Sequence, residues 1–368
     1  MLIGGFFSVD GELLLNHAEE KEFSLRLDRA DVYHRKIFTN NGRTASVQAM
    51  RHCREHMKGK KVLLPDYLCL SVISAFETAG TEYGFYRVKK NLEIDLDDLA
   101  EKIDENTGMI YVIHYFSVPQ PLEVVESIKR LAVKHDLLIM EDITQALFSR
   151  HSERMGFGDY IVGSLRKWFP MTDGGILAVR DGVRGEDMPL ADAYDESVYR
   201  ELLISVLRLQ YEMTPDRDKI KYLAYEKQAN ASRYQDLTPR AMTDASICIL
   251  KKTDIDVLIR KRIENFHSLF ERLSKIKGIT MLSKWIGEGD ENVPFGLTLL
   301  TEERDALYRY LVDHGIIPEI QWILPVDYYE PGDDAVYLSE HNLMLQCDQR
   351  YSAEDMQYVA DTIIDFFK

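Results

Sequence analysis

Leu137-Leu138-Ile139-Met140-Glu141-Asp142-Ile143-Thr144-Gln145-Ala146 and, further on, Asp159-Tyr160-Ile161-Val162-Gly163-Ser164-Leu165-Arg166-Lys167 decide the fold. Each is an apolar run that ends abruptly in charged and hydroxyl-bearing residues. Such runs, apolar without alternation, read as strands buried on both faces, the mark of a parallel sheet covered by helices. The same pattern recurs on either side of them. Further runs are Lys61-Val62-Leu63-Leu64, Tyr83 to Val88, Met109 to His114 and Gly175 to Val179. Helical patterns occupy 43–57, 71–79 and 122–135 between them. Strands separated by helices are β-α-β units, so the expected fold class is α/β with a mainly parallel sheet. Sheets of this kind bind ligands beyond the carboxyl ends of their strands, which is where the polar residues stand.

Beyond the sheet the pattern changes. Residues 186–235 are polar, with Tyr, Leu and Arg at helical spacing, and read as a helical excursion. A strong helix is expected over 253–274, with Thr253 as its cap and Ile255, Leu258, Ile259, Phe266, Leu269, Phe270 and Leu273 largely on one face. Another covers 302–314 and stops at Gly315. The chain ends in a helix capped by Ser352 with Asp355 three residues on, and Met356, Val359, Ala360, Ile363 and Phe367 form its apolar stripe. The expected division is a large cofactor-binding domain over 1–245, with an N-terminal segment and the excursion, and a small α+β domain over 246–368.

Composition narrows the function classes. The 368 residues carry 45 Lys plus Arg against 61 Asp plus Glu, a net charge of −16, which disfavours nucleic-acid and anionic-membrane partners. An apolar share of 45% with 29% charged residues is that of a soluble globular protein. No uncharged apolar run reaches membrane-span length, and Met1-Leu2-Ile3-Gly4-Gly5-Phe6-Phe7 lacks the basic start of a signal peptide. The four cysteines, Cys53, Cys69, Cys248 and Cys347, form no C-x-x-C pair, so neither a metal site nor a disulfide framework is expected. A cytoplasmic location fits these features.

The candidate site residues each admit an ordinary reading. Glu141 and Asp142 at a strand end could cap a helix. Ser164 and Lys167 lie on one side of a helical turn, where the lysine could form a Schiff base and the serine could hold a phosphate, or the lysine could be a surface residue. S-x-x-K also occurs in penicillin-recognising enzymes, but no K-T-G or S-D-N element accompanies it. Asn40-Asn41-Gly42-Arg43-Thr44-Ala45 opens a helix that either binds an anion or is simply capped. Thr172-Asp173-Gly174-Gly175 is a tight turn before a strand. Their order joins them. Pyridoxal phosphate needs a lysine for its aldehyde, an anion for its ring nitrogen and donors for its phosphate.

In these stretches the chain resembles the pyridoxal-phosphate aminotransferases of the aspartate-aminotransferase fold, and more narrowly the DegT/StrS sugar-nucleotide aminotransferases. Glu141 to Ala146 is similar to that family's E-D-x-x-Q-A stretch. Lys167, with Asp173-Gly174-Gly175 after it, is similar to its lysine and acidic-Gly-Gly turn. Gly42-Arg43-Thr44-Ala45 resembles its phosphate-binding element. Leu338 to Leu345, with Tyr351-Ser352-Ala353-Glu354-Asp355, resembles its C-terminal signature. The resemblance implies that Lys167 carries the cofactor, Asp142 pairs with the ring nitrogen and Gln145 bonds the ring oxygen. It implies that Ser164, Gly42, Arg43 and Thr44 hold the phosphate. An aromatic residue stacks on the ring in that family. Tyr67 is the nearest candidate, with core packing as the alternative, while strict spacing points at Cys69. The resemblance also implies a homodimer, glutamate as amino donor and a nucleotide-linked keto sugar as acceptor.

The chain departs from the family in three places, one of them the polar excursion at 186–235, which replaces part of the region that usually shapes the sugar site. The Ser164–Lys167 gap is short, as in the amino-acid aminotransferases, and the Asn-containing motif is not clear in 226–240. A pyridoxal-phosphate enzyme acting on an amino acid or another small keto compound is therefore a second reading. A non-catalytic scaffold is a third, disfavoured because a scaffold has no need of Lys167. His114, at a strand end, is read as structural rather than functional.

Overall fold

The computed structural model describes residues 3–5, 7–15, 19–23, 30–151, 153–187, 189–194, 196–213, 236–283 and 292–368. A two-residue strand β1 (Ile3–Gly4) and a short helix α1 (Gly11–Leu15) precede β2 (Arg35–Thr39). Then come α2 (Gly42–His52), β3 (Lys61–Pro65), α3 (Leu70–Thr78), β4 (Glu82–Tyr86), α4 (Leu96–Lys102) and β5 (Thr107–Ile113). They are followed by α5 (Leu122–His135), β6 (Leu138–Asp142), β7 (Tyr160–Ser164) and β8 (Gly175–Val179). The rest of the chain carries α6 (Glu196–Met213), α7 (Asp244–Lys252), α8 (Ile255–Leu273), β9 (Thr280–Met281) and β10 (Leu297–Leu300). It ends with α9 (Arg304–Asp313), β11 (Ile316–Ile317), α10 (Asp333–His341), β12 (Asn342–Leu345) and α11 (Ala353–Phe366).

All six apolar runs are strands of one seven-stranded sheet, in the order β2-β8-β7-β6-β5-β3-β4. β8 runs antiparallel to both of its neighbours, and every other pair in the sheet is parallel. The central strands show why their sequences do not alternate. Every residue of β5, β7 and β8 is buried, because helices cover both faces. The seventh strand, β2, escaped the apolar pattern. It is an edge strand that begins Arg35-Lys36 and is mostly half-buried, so charge hides its strand character.

The helix starts are set by local chemistry. Asn41 accepts from Thr44 N–H at 3.1 Å, and Thr44 Oγ1 accepts from Asn41 N–H at 3.2 Å, a reciprocal capping box for α2. Ser352 and Asp355 form the same device for α11, as expected. One expectation needs correction. Thr253 does not start the long helix; it ends α7, and Asp254 caps α8 by accepting from Val257 N–H at 3.0 Å. The carboxylate at 254 competes for the same position and also suits the positive end of the helix dipole. Of the excursion at 186–235, α6 is described and 214–235 lie outside the described residues.

Two apolar cores result. The larger one surrounds the seven-stranded sheet. The smaller one gathers α8, α9, α11 and a three-stranded antiparallel sheet, β12-β10-β9. The chain does not pass from one to the other at residue 245. Ile249, Leu250 and Leu258 pack in the larger core, and Ile3 packs in the smaller one, where β1 pairs in parallel with β11. Among the described residues no helix is long and apolar enough to cross a membrane.

Candidate active site

A cavity of about 600 Å³ opens beyond the carboxyl ends of β5, β6 and β7. Its lining includes Gly42, Arg43, Cys69, Tyr111, Asp142, Gln145, Ser164, Arg166 and Lys167 from the side of the large sheet. It also includes Tyr308, Glu319, Gln321 and Trp322 from the C-terminal third.

Asp142 is the last residue of β6, and its neighbour Glu141 faces the other way, as alternation in a strand requires. Asp142 Oδ2 accepts from the Tyr111 hydroxyl at 2.7 Å, and Oδ1 accepts from Thr144 N–H at 2.8 Å. A carboxylate has about four acceptor positions, so this arrangement fixes Asp142 and still leaves capacity for a donor in the cavity. Burial pushes Tyr111 well above the usual phenol range, and the adjacent Asp142 pushes it the same way, so the hydroxyl remains a donor. Glu141 is wholly buried on the opposite face, 2.8 Å from His114 Nε2, and accepts from Gly156 and Gly158 N–H. His114 thus belongs to the structure behind the site, as its ordinary reading expects.

β7 delivers Ser164 and Lys167. After Ser164 the chain makes a single 3₁₀ turn, Leu165–Lys167, closed by Trp168 N–H on the Leu165 carbonyl at 2.9 Å. In such a turn residues three apart eclipse, which brings the serine and the lysine to the same wall. Trp168 fixes the turn from below. Its indole N–H donates to the Thr144 carbonyl at 2.8 Å, and the guanidinium of Arg262 lies 4.3 Å from its ring centre. Arg262 is itself buried and donates to the carbonyls of Pro294 and Phe295, both at 3.1 Å. Lys167 Nζ lies 5.9 Å from the centre of the Phe295 ring. Asp173, at the far end of the loop, accepts from Thr243 N–H at 2.8 Å, from Thr243 Oγ1 at 2.6 Å and from Ser246 Oγ. The acidic-Gly-Gly turn is therefore an anchor rather than a lining element.

The start of α2 brings a helix N-terminus to the same wall. Gly42 sits so close to β7 that a Cβ there would stand 3.2 Å from Ser164 Cβ and 3.3 Å from the Gly163 backbone. Glycine lets the helix N-terminus approach the serine, and Gly42 and Arg43 of that first turn line the cavity. A lysine, a carboxylate and an amide-plus-hydroxyl cradle are the donor and acceptor set that pyridoxal phosphate needs, and the cavity is large enough for that cofactor and part of a substrate. The residues fit the group.

Two expected contacts do not appear. Thr44 is buried and does not line the cavity, because its hydroxyl is committed to the Asn41 cap and to Asn40 Oδ1 at 2.6 Å. Tyr67, expected to stack on the ring, is buried between Tyr115 and Trp322, with ring centres 5.5 and 5.4 Å away, and its hydroxyl donates to the Gln321 carbonyl. Its core reading is the one the geometry supports. The position pointed to by strict spacing, Cys69, does line the cavity, with Val72 beside it. Glu319, Gln321 and Trp322 were missed altogether. Glu319 and Gln321 are two apart in Ile316-Ile317-Pro318-Glu319-Ile320-Gln321-Trp322, an alternation that could have flagged one polar face.

The DegT/DnrJ/EryC1/StrS aminotransferase family profile matches residues 11–363. Among solved structures, the chain is similar to the aminotransferase TlmJ from Streptoalloteichus hindustanus, with a TM-score of 0.68, 20% identity and 98% of each chain covered. It is also similar to the sugar aminotransferase CalS13 from Micromonospora echinospora, with a TM-score of 0.68, 16% identity and 99% of each chain covered. A third is PseC from Helicobacter pylori, an aminotransferase involved in the biosynthesis of pseudoaminic acid. There the TM-score is 0.68 at 15% identity, covering 100% of this chain and 99% of that one. At these identities the structures establish a shared fold.

Proposed function

Because the chain belongs to the DegT/DnrJ/EryC1/StrS aminotransferase family, whose members depend on pyridoxal phosphate, we propose that it moves an amino group from glutamate to a keto group on a nucleotide-linked sugar. The observation that carries this reading is the convergence of Asp142, Ser164 and Lys167 on one cavity with the N-terminus of α2. When bound, pyridoxal phosphate supplies the electron sink for the amino-bearing carbon. Lys167 would bind its aldehyde and, freed when the donor's amine takes its place there, its Nζ would take a proton from the donor's α-carbon and return one to the acceptor's former keto carbon. Asp142 holds a proton on the ring nitrogen by its negative charge. The amides of Gly42 and Arg43, with the Ser164 hydroxyl, bind the phosphate. Arg166, which lines the same cavity next to Lys167, supplies a cation for a carboxylate or a diphosphate.

Amino-sugar chemistry is supported by the family and by the similarity to CalS13, a sugar aminotransferase, and to PseC, an aminotransferase of pseudoaminic acid biosynthesis. A homodimer is part of the proposal. Tyr199, Leu202, Leu203 and Val206 of α6 are exposed, an apolar face that a second copy would cover, and light scattering on the purified protein reads the mass directly. A cytoplasmic location accords with four unpaired cysteines.

Protein loaded with the amino form of the cofactor tests the acceptor. It should react with a nucleotide-linked keto sugar at least tenfold faster than with the free keto sugar, because binding energy from the nucleotide positions the keto carbon. Equal rates with 2-oxo acids and no response to any nucleotide sugar would favour an amino-acid substrate instead.

A further inference from the structure

Glu319 and Gln321 join the distant Gln145 in a continuous line of hydrogen bonds along one wall of the cavity. Glu319 Oε2 accepts from Gln321 Nε2 at 2.6 Å. Gln321 Oε1 accepts from Gln145 Nε2 at 2.8 Å. Gln145 Oε1 accepts from the backbone N–H of Phe116 at 3.0 Å. All three side chains line the cavity, and both glutamines are buried.

The direction of this line follows from the chemistry of its ends. An ionised carboxylate only accepts, whereas a side-chain amide donates from one end and accepts at the other. Glu319 therefore obliges Gln321 to turn its NH₂ group toward the carboxylate and its oxygen toward Gln145. That oxygen obliges Gln145 to turn its own NH₂ group toward Gln321. The Phe116 N–H enforces the same orientation from the other side, because it needs an acceptor. Glu319 is held in turn. Gln346 Nε2 donates to its Oε1 at 2.6 Å, and its backbone pairs with Met344 in both directions, at 2.9 and 2.8 Å.

We infer that Glu319 is a positioning residue that acts through Gln321 to keep the donor end of Gln145 turned into the cavity. The Gln145 Nε2 group carries two N–H bonds. One goes to Gln321, and the second serves an acceptor on a bound group. On the pyridoxal-phosphate reading of the cavity, on which this inference rests, that acceptor is the cofactor's ring oxygen. A donor there favours the ionised oxygen. The C-terminal third of the chain thereby sets the ionisation of a group bound over the large sheet.

A spectrophotometric pH titration of bound pyridoxal phosphate tests this, because the visible absorption reports the cofactor's ionisation and not turnover. Gln145→Ala should raise the midpoint by about one pH unit, the size of a hydrogen bond to a charged group. Glu319→Gln keeps the shape but can present either amide end to Gln321, so it should raise the midpoint by about half a unit. In the Gln145→Ala background, Glu319→Gln should move the midpoint no further. A midpoint unchanged by Glu319→Gln while Gln145→Ala shifts it overturns the inference. So does a Glu319→Gln shift of the same size with and without Gln145. Failure of the unaltered protein to bind pyridoxal phosphate would instead strike the proposed function, and the two failures are distinct.

Discussion

The two walls of the cavity are built by different means. The wall beside the large sheet is made of strand ends and the turns that follow them: Asp142 at the end of β6, Ser164 at the end of β7 with Lys167 in the turn after it, and Gly42 at the start of α2. Each stands immediately beside an apolar run, and its place follows from short-range geometry. The opposite wall is made of Glu319, Gln321 and Trp322, in a segment with one isolated backbone bridge, Glu319 to Met344. Its side chains face the cavity because Tyr67, Asn342 and Met344 hold its backbone, the last two from β12. The difference teaches that a reaction site can announce itself by local pattern, while the surface that adjusts it depends on long-range packing.

The assignment of chemistry to the first wall breaks most sharply at Lys167. Lys167→Ala should lower transamination by more than about a thousandfold, since both covalent attachment and proton transfer are lost. Borohydride reduction of the loaded protein and peptide mapping should place the cofactor label on Lys167 alone; a label elsewhere overturns the assignment. Asp142→Asn should still bind cofactor but lose turnover on the order of a hundredfold, with the loss in kcat rather than KM. Near-normal turnover would make Asp142 a structural residue that satisfies only Tyr111 and Thr144.

Tyr67 sharpens the boundary between the walls, because it was read for the first and packs against the second. Tyr67→Phe removes only the hydroxyl donated to the Gln321 carbonyl. Unfolding should become easier by about 1 kcal/mol, with cofactor affinity unchanged. A marked fall in affinity without loss of stability would restore Tyr67 to the ring-binding set.

The smallest expected effect on the site's chemistry lies away from both walls, at the buried Asp348. Burial alone would push this carboxyl up, but Arg350, at 2.8 Å, and Arg262 outweigh it and hold it below the usual carboxylate range. A depressed folded pKa contributes stability that is present above the unfolded value and lost as pH falls through the folded one. Asp348→Asn should therefore flatten the acid limb of a stability–pH curve while leaving the site's chemistry intact. An acid limb that keeps its slope would assign acid unfolding to other carboxylates.

Legibility varied residue by residue. Six strands were readable because parallel strands are buried on both faces and leave unbroken apolar runs. β2 was not, because an edge strand tolerates Arg35 and Lys36. Asp142, Ser164 and Lys167 stood out because strand-end polar groups have few structural reasons to follow such runs, and all three line the cavity. Thr44 was ambiguous because a helix-start hydroxyl can serve either a ligand or its own cap, and here it bonds the cap and Asn40. Tyr67 was left between stacking and core packing because its neighbourhood includes Trp322, which is remote in sequence.

What the sequence determined by itself is the α/β class, the order of the candidate site residues and the Ser352–Asp355 cap of the last helix, all of which depend on neighbours a few positions apart. Periodicity, turn chemistry and spacing are local quantities and survive in a linear text. What only the tertiary structure decided is which side chains face one another across the cavity. The pairing of β1 with β11, the packing of Arg262 on Trp168 and the line from Glu319 to Gln145 each join residues separated by much of the chain. Those contacts exist only after two apolar cores have closed against each other, and no local propensity encodes them.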